Sequence, residues 1–349
     1  MNTTDKVAVC SRSFSRHSVL RAELLSRFAN VTFNETGHQL KGLELIAFLK
    51  GHNKAITALE FIDEALLSAL PELQVIGKYG VGLDMIDLKA MRRHGKRLGW
   101  ISGVNRRSAA ELTLAFAIVM LRHVVAGNRE VLAGGWQQLK GGLLSGRKVG
   151  IIGCGEIGKD LVRLLQPFKC SILVNDIREY SEFYAKFNLQ AVSKEELLSR
   201  ADVVTLHVDD NPANKNLFGE KQISEMKEGA YLVNLARGFV VDIAALVAAL
   251  KSGKLAGAAV DVYPEEPSKN GEFYTDLKGL PNVILTPHVG GSTEEAQRDI
   301  ADFVPGKIMA YMNSGNTVDA VNFPNIRLPR QTKAHRFLHI HKNVPGVMA

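Results

Sequence analysis

A glycine motif in the middle of the chain constrains the fold more than any other feature. The apolar run at 148–152 leads directly into Gly153-Cys154-Gly155-Glu156-Ile157-Gly158, and apolar residues at helical spacing follow over 156–166. A G-x-G-x-x-G between a strand and a helix is typical of dinucleotide binding. Its glycines allow a tight turn, a close approach of backbone to pyrophosphate, and close packing of helix on strand. The pyrophosphate would lie at the helix N-terminus, where backbone amides are unpaired.

An acidic residue follows the next predicted strand, at 171–175. Asp176 lies 18 positions after Gly158, close to the spacing of about 20 residues expected for the acid that contacts the ribose. A carboxylate there accepts hydrogen bonds from the ribose 2′-hydroxyl and repels a 2′-phosphate, which favours NAD over NADP. Arg178 complicates this prediction, because a nearby arginine can hold a 2′-phosphate. The alternative is a glycine-rich turn in which Asp176 only caps a backbone turn.

Strand-like and helix-like segments alternate through most of the chain. The strand-like segments of the middle region are continuous apolar runs, which are typical of a parallel sheet covered on both faces. We predict strands at 148–152, 171–175, 202–208, 230–236, 256–262 and 282–285, and helices at 156–166, 194–200, 220–226 and 243–251. A weaker alternation occupies the first hundred residues, with a strand at 7–9, a helix at 18–28 and further apolar elements at 43–48 and 74–77. The sequence therefore predicts an α/β protein with two Rossmann-like, doubly wound domains.

Two longer predicted helices connect these regions. One spans 109–122 and the other, at 293–311, is long enough to return to the first region. We therefore expect a discontinuous substrate domain (1–102 and 291–325), an inserted NAD-binding domain (103–290) and a C-terminal tail (326–349). A cleft between two such domains is the expected ligand site.

Composition and charge exclude several classes of protein. No apolar stretch approaches the roughly 18 residues of a membrane span, and no secretory signal precedes the first strand. The three cysteines, Cys10, Cys154 and Cys170, are an odd number at unrelated spacings, which indicates reduced thiols in the cytoplasm and no metal site. The net charge of +7 suits small anionic ligands, but the basic residues are scattered, so we expect neither a nucleic-acid nor a membrane partner.

Three further segments each follow a predicted strand of the parallel sheet. They are Asn234-Leu235-Ala236-Arg237-Gly238, Asp261-Val262-Tyr263-Pro264-Glu265-Glu266-Pro267 and Thr286-Pro287-His288-Val289-Gly290-Gly291. Ligands of open α/β sheets bind at this edge. Together with the glycine motif, the segments closely resemble the D-isomer-specific 2-hydroxyacid dehydrogenase family over nearly the whole chain.

The resemblance implies oxidation of a D-2-hydroxy acid, and three residues have the chemistry for it. His288 titrates near neutral pH and can take the hydroxyl proton. Glu266 can orient the imidazole and stabilise its protonated form, and the family places this acid directly before a proline, which selects Glu266 over Glu265. Arg237 can hold the substrate carboxylate and polarise the C2 oxygen with its fork of donors.

The same resemblance implies the remaining cofactor contacts. Asp261 matches the residue that contacts the nicotinamide carboxamide. The other expected members of the cofactor pocket are Glu156, Ile157, Leu235, Ala236, Gly290 and Gly291, together with Arg237 and His288.

The segment from Lys78 to Asp84 resembles the substrate loop of the family. Its members Val81 and Gly82 would bring backbone amides to the substrate carboxylate. The alternative is a simple turn between strand and helix, with Asp84 as a cap. Lys50 and Lys54 lie where family members that act on 3-phosphoglycerate carry basic residues for the phosphate, although lysine binds phosphate only as a point charge. A solvated basic loop is the alternative for these two lysines.

The tail also favours 3-phosphoglycerate as the substrate, and hence oxidation to 3-phosphohydroxypyruvate in the first step of serine biosynthesis. Residues 319–347 resemble the linker and opening strand of the ACT regulatory domain of such enzymes, and a regulatory domain cannot fold from so little chain. His335, His339 and His341 suggest a metal site, but an alternating ACT strand is the simpler interpretation.

Other interpretations stay open. The same chemistry could act on an unphosphorylated acid, as in a glyoxylate or hydroxypyruvate reductase or a D-lactate dehydrogenase. A corepressor-like protein that senses NAD can also be built on this fold and can keep the Arg-Glu-His set. The helix at 109–122 is expected to pack between subunits, in a homodimer or a higher homo-oligomer. Val208-Asp209-Asp210 departs from the family, which usually has a proline after the valine, and the sequence offers no physical account of the two aspartates.

Overall fold

The computed structural model describes residues 2–80, 82–100, 103–267 and 271–300, and residues 303, 306, 316, 318, 326 and 327. Its strands are β1 (Asn2–Val9), β2 (Phe28–Phe33), β3 (Lys54–Thr57), β4 (Val75–Lys78), β5 (Arg97–Gly99), β6 (Lys148–Ile152), β7 (Ser171–Asn175), β8 (Gln190–Ala191), β9 (Val203–Leu206), β10 (Ala230–Asn234), β11 (Leu255–Val260) and β12 (Val283–Leu285). Its helices are α1 (Arg12–Arg16), α2 (Ser18–Arg27), α3 (Gly42–Leu49), α4 (Glu64–Ala69), α5 (Leu88–Arg93), α6 (Arg106–Leu121), α7 (Val124–Leu132), α8 (Glu156–Leu165), α9 (Ser181–Lys186), α10 (Lys194–Arg200), α11 (Glu220–Glu225) and α12 (Ile243–Ser252). Residues 294–300 are also helical.

The strands form two parallel sheets. The first is five-stranded, in the order β2-β1-β3-β4-β5, and the second is seven-stranded, in the order β12-β11-β10-β9-β6-β7-β8. In the second sheet the chain runs outward from β6 to β8 on one side and from β9 to β12 on the other. The strand order therefore reverses between β6 and β9, and the carboxyl edge at such a reversal is where open α/β sheets bind their ligands. The α/β architecture with parallel sheets that the sequence predicts is confirmed.

Both faces of the seven-stranded sheet are buried. Val203 and Val233 pack into one apolar cluster with side chains of α6 and α8. Their chain neighbours Val204 and Leu232 point the other way and pack with side chains of α10, α11 and α12. Alternate residues of a strand face opposite sides of a sheet, so two buried faces require the continuous apolar runs seen in the sequence.

Helices α6 and α7 differ sharply in burial. Seven side chains of α6 are buried within the chain, whereas α7 buries none. No single described helix is long and apolar enough to cross a membrane, and these two reach that length and composition only as a pair bent by 63°.

The chain returns to the first sheet after the second is complete. Ile300 packs in the apolar cluster that contains Val7 and Val9 of β1. Gln297 accepts a hydrogen bond of 3.0 Å from the Tyr79 hydroxyl just after β4. Most of the helix predicted beyond residue 300 and the ACT-like tail lie outside the described residues.

Candidate active site

The glycine motif connects β6 to α8 at the carboxyl edge of the second sheet. Gly153 has φ +91°, and a Cβ atom there would lie 2.4 Å from the carbonyl oxygen of His207. A Cβ atom on Gly158 would lie 2.3 Å from the carbonyl oxygen of Gly153. Beside Gly155, by contrast, the space within 4 Å is open. The motif is thus packed against protein at its ends and open in the middle, at the N-terminus of α8, where a pyrophosphate can approach the amides.

Asp176 is held against this motif. One carboxylate oxygen accepts the backbone amide of Cys154 at 2.6 Å, and the other accepts that of Arg178 at 2.7 Å. The side chain of the intervening residue, Ile177, is 98% exposed. An open cradle at the helix N-terminus and a fixed carboxylate beyond it suit the pyrophosphate and the ribose of NAD.

The imidazole of His288 contacts Glu266 at the ends of β12 and β11. Its Nδ1 atom lies 2.6 Å from Oε2 of Glu266, while Oε1 of Glu266 accepts the backbone amide of Tyr263 at 3.0 Å. This hydrogen bond with Glu266 raises the pKa of His288 against the opposing effect of burial. For Glu266 itself burial acts to raise the pKa, but the bonds from His288 and Tyr263 outweigh it and lower the pKa. The pair therefore favours an ionised Glu266 and a protonated His288.

Asp261 anchors the loop that carries His288. Its buried carboxylate accepts the hydroxyl of Thr286 at 2.5 Å and the amides of Val289 and Gly290 at 2.9 and 2.8 Å. The hydroxyl of Ser108 in α6 donates to the carbonyl of Gly290 at 2.7 Å. Asp261 therefore positions the loop that carries His288, in addition to the nicotinamide contact that the family resemblance implies.

Arg237 follows β10 and is positioned by a residue that the sequence analysis did not single out. The buried Asn234 accepts the amide of Ala236 at 3.0 Å and donates to the carbonyl of Arg237 at 3.2 Å. The guanidinium donates back to the carbonyl of Ala236 at 2.9 Å. The sequence does contain a signal for Asn234, because a side-chain amide is unusual at the end of an otherwise apolar strand.

The loop after β4 brings the first sheet to Arg237. Nε and Nη2 of Arg237 lie 3.4 and 3.5 Å from the two carboxylate oxygens of Asp84, and a Cβ atom on Gly82 would lie 3.4 Å from Nη2. Asp84 is therefore not a helix cap, a role that Asp87 takes for α5. Val81 lies outside the described residues. The structure thus brings Gly82 together with Arg237, and the pKa values of Glu266 and His288 both respond to the same guanidinium.

The structure does not bring Lys50 and Lys54 to this site, and the burial of Lys54 in an ion pair does not fit its predicted contact with a substrate phosphate. Lys54 is the first residue of β3, is 2% exposed and pairs with the carboxylate of Asp5. The first residue of a strand lies at the amino edge of a parallel sheet, whereas Gly82 follows a strand and lies at the carboxyl edge. The exposed Lys50 ends α3 in the same connection. The neutralising partner of Lys54 comes from β1, which the local sequence around the lysine does not reveal.

Lys78, which the sequence analysis left without a role, is the cation beside the substrate loop. It ends β4, is 3% exposed and donates to the carbonyl of Ala58. Burial lowers its pKa to about 8, against the attraction of Glu60 and Asp84. A Cβ atom on Gly80 would lie 3.3 Å from its Nζ atom. Its position immediately before the glycine-containing loop was the signal in the sequence.

Comparisons with known proteins agree with this geometry. The family model for the NAD binding domain of D-isomer specific 2-hydroxyacid dehydrogenases matches residues 114–290. The D-3-phosphoglycerate dehydrogenase of Haemophilus influenzae is 41% identical over 314 residues, which cover 88% of this chain and 76% of that protein. The D-3-phosphoglycerate dehydrogenase of Escherichia coli K12 is 41% identical over 290 residues, or 82% of this chain and 70% of that one.

A solved structure has a similar fold. The D-lactate dehydrogenase of Aquifex aeolicus, complexed with NAD and lactic acid, has a TM-score of 0.77 at 25% identity and covers 93% of this chain and 100% of that one. The chain belongs to the D-isomer specific 2-hydroxyacid dehydrogenase family and is an NAD-dependent dehydrogenase.

Proposed function

We propose that the protein oxidises 3-phosphoglycerate to 3-phosphohydroxypyruvate with NAD, as the first step of serine biosynthesis. The observation that carries the reaction type is the contact of His288 with Glu266 beside Arg237, at the edge of the sheet that carries the open glycine motif. The names of relatives at 41% identity support the substrate.

The arrangement supports a role for each residue. Arg237 holds the substrate carboxylate, with the backbone of Gly82 beside it, and the family resemblance adds Val81 to this contact. The ring of His288 takes the proton of the C2 hydroxyl on Nε2 and keeps the hydrogen bond from Nδ1 to Glu266. The negative charge of Glu266 stabilises the imidazolium that results. NAD, when bound, accepts the hydrogen of C2 with its electron pair.

The cofactor contacts follow from the same placement. The glycine motif and the amides of Glu156 and Ile157 at the N-terminus of α8 would hold the pyrophosphate, and Asp176 would hold the ribose. The nicotinamide end would be held by the remaining cofactor residues, which are Leu235, Ala236, Arg237, Asp261, His288, Gly290 and Gly291. The hydrogen bond that Asp176 accepts from Cys154 of the glycine motif supports this assignment.

Lys78 takes the role that the sequence assigned to Lys50 and Lys54. It is the buried cation at the loop that carries Gly82 and Asp84. A phosphorylated substrate brings further negative charge to this loop, and an ammonium of low exposure interacts more strongly with it than one in water.

The domain bounds, the C-terminal tail and the oligomeric state are part of the same proposal. The substrate domain comprises 1–102 and 291–325 and the NAD-binding domain 103–290, and the contact of Gln297 with Tyr79 supports the discontinuity. The tail at 326–349 resembles the opening of an ACT domain. The protein acts as a cytoplasmic homodimer, and the exposed apolar side chains of α7 support the dimer.

The test is the rate of NADH oxidation with 3-phosphohydroxypyruvate, hydroxypyruvate, glyoxylate and pyruvate. We expect kcat/KM to be higher for the phosphorylated acid by about a hundredfold or more. In Lys78→Met this preference should shrink, whereas Lys50→Met should keep it. A preference for an unphosphorylated acid would keep the catalytic residues and reject the substrate, and no turnover of any acid would favour an NAD-sensing protein.

A further inference from the structure

The two aspartates that depart from the family pattern lie in the loop after β9, at the carboxyl edge of the second sheet. They differ in environment. Asp209 is exposed and accepts the amide of Asn211 at 3.3 Å and the side-chain amide of Asn214 at 2.8 Å, so it stabilises its own turn. Asp210 is partly buried and forms a side-chain hydrogen bond with Asp84.

This hydrogen bond joins loops that belong to different sheets. Asp84 belongs to the loop after β4 of the first sheet, and Asp210 belongs to the second. A hydrogen bond between two carboxyl groups requires one proton, because two carboxylates have only acceptors. Burial, followed by the neighbouring Asp84, raises the pKa of Asp210, and Arg237 acts in the opposite direction.

The same pair lies on the guanidinium that receives the substrate carboxylate. Asp84 is within 3.4 and 3.5 Å of Nε and Nη2 of Arg237. These nitrogens are part of the fork that a 2-hydroxy or 2-oxo acid needs. A carboxylate of the protein and a carboxylate of the substrate cannot both occupy it.

We propose that Asp210 holds Asp84 on Arg237, where the Asp84 carboxylate is an internal substitute for the substrate carboxylate, which must displace it in order to bind. This inference rests on the proposed role of Arg237 but not on the identity of the acid, since every 2-oxo acid carries the carboxylate. Asp210 is thereby a positioning residue that acts through Asp84 and weakens substrate affinity.

The pair makes affinity depend on pH. Below the raised pKa of Asp210 its carboxyl group is neutral, and above it Asp210 adds a negative charge beside Asp84 and Arg237. A ligand carboxylate therefore binds less tightly as the pH rises through that pKa. The charged groups next to the pair are Arg237 after β10 and Lys78 on β4, and Glu266 and His288 in the loops after β11 and β12 are within the electrostatic reach of Arg237.

The experiment measures the binding of oxamate, whose only ionisable acid is its carboxylate, to the whole protein by calorimetry between about pH 4 and pH 8. Asp210→Asn keeps a hydrogen-bond donor to Asp84 and removes the second negative charge. We expect it to bind oxamate about three- to tenfold more tightly than the wild type at the upper end of this range, with the difference shrinking toward the lower end. KM for the 2-oxo acids should fall more than kcat changes.

Asp209→Asn is the matched control, because it makes the same change in net charge one residue away. It should leave oxamate affinity unchanged, and the titration of His288 is common to all three proteins. Equal or weaker oxamate binding by Asp210→Asn across the pH range would overturn the proposal. Because this readout needs no turnover, it stands apart from the substrate preference that tests the proposed function.

Discussion

Two carboxylates, Glu266 and Asp261, position His288 in different ways. Glu266 contacts the ring, whereas Asp261 holds the backbone on the far side through the amides of Val289 and Gly290. His288 has φ +53°, a left-handed conformation that non-glycine residues seldom adopt. Its amide donates to the carbonyl of Asp261 at 2.8 Å. The loop contacts therefore stabilise a strained backbone that directs the ring at Glu266, as is common at functional sites.

Replacing Glu266 should move the pH dependence of catalysis. Glu266→Gln keeps a hydrogen-bonding side chain but removes the charge, so the pKa of His288 should fall. In the reductive direction His288 must be protonated, so activity is present below its pKa and is lost as the pH rises through it. We expect this loss in kcat/KM to occur about one pH unit lower in the variant, as measured by NADH oxidation across a pH series.

Glu265→Gln is the control for that experiment. Glu265 is adjacent and exposed, so its removal changes the net charge equally but leaves the imidazole with its partner. The control should keep the wild-type profile. An unshifted profile in Glu266→Gln would contradict the assignment of this carboxylate to His288.

Asp176 should set the choice between NAD and NADP. Asp176→Asn keeps an acceptor for the amide of Cys154 and removes the negative charge that repels a 2′-phosphate. We expect the ratio of kcat/KM for NADP to kcat/KM for NAD to rise by about tenfold or more. Arg178 next to the site should assist this change. A ratio equal to the wild-type value would mean that another group selects the cofactor.

At the scale of elements, the sequence predicted the second sheet better than the first. Its strands are buried on both faces and are therefore continuous apolar runs. The edge strand β2 exposes several of its residues, and β3 is only four residues long and begins with a lysine. Neither has a clear apolar signature, and both were missed. Lys54 was accordingly predicted to contact the substrate phosphate, because its partner Asp5 is 49 positions away and the local sequence does not show it.

The ion pair of Lys54 with Asp5 should contribute to stability rather than to substrate binding. Lys54→Met should lower the free energy of unfolding by about 3–5 kcal/mol, because it leaves the buried carboxylate of Asp5 without its cation. Denaturant unfolding measures this loss. Where the variant folds, KM for the substrate should stay at the wild-type value.

Lys50→Met is the comparison, because Lys50 is exposed. It should change the unfolding free energy by less than about 0.5 kcal/mol. A raised KM in either variant, without a change for Lys78→Met, would restore the original assignment of the phosphate site.

At the scale of the whole molecule, the sequence could place residues at strand ends but could not place the two sheets against each other. Parallel strands bring Arg237, Glu266 and His288 to one edge by topology alone. The approach of Asp84 to Arg237 joins positions 153 residues apart, and that of Tyr79 to Gln297 joins positions 218 apart. Such contacts depend on how the connecting helices pack, which no local pattern encodes. For the same reason, Asp209 and Asp210 in the loop after β9 could not be explained from the sequence.

The surface beyond α6 indicates how two copies would associate. The dimer expected from the apolar helix at 109–122 is better placed on α7 and the segment after it, since α6 buries seven side chains in its own chain. Val131, Leu132 and Trp136 are 56%, 79% and 83% exposed. Apolar side chains exposed together are typical of an interface between protein chains.

Substitutions on this surface should therefore change the oligomeric state, which is measured as the mass of the protein in solution. We expect the wild type to sediment as a dimer, and the double variant Leu132→Asp, Trp136→Ser to shift toward the monomer, because a charge and a lost aromatic anchor oppose association. Leu43→Asp on α3 is the control, since Leu43 is 85% exposed and lies on the first sheet's side of the molecule. It should leave the mass unchanged. A double variant that stays dimeric, or a dimer that is lost in the control, would place the interface elsewhere on the molecule.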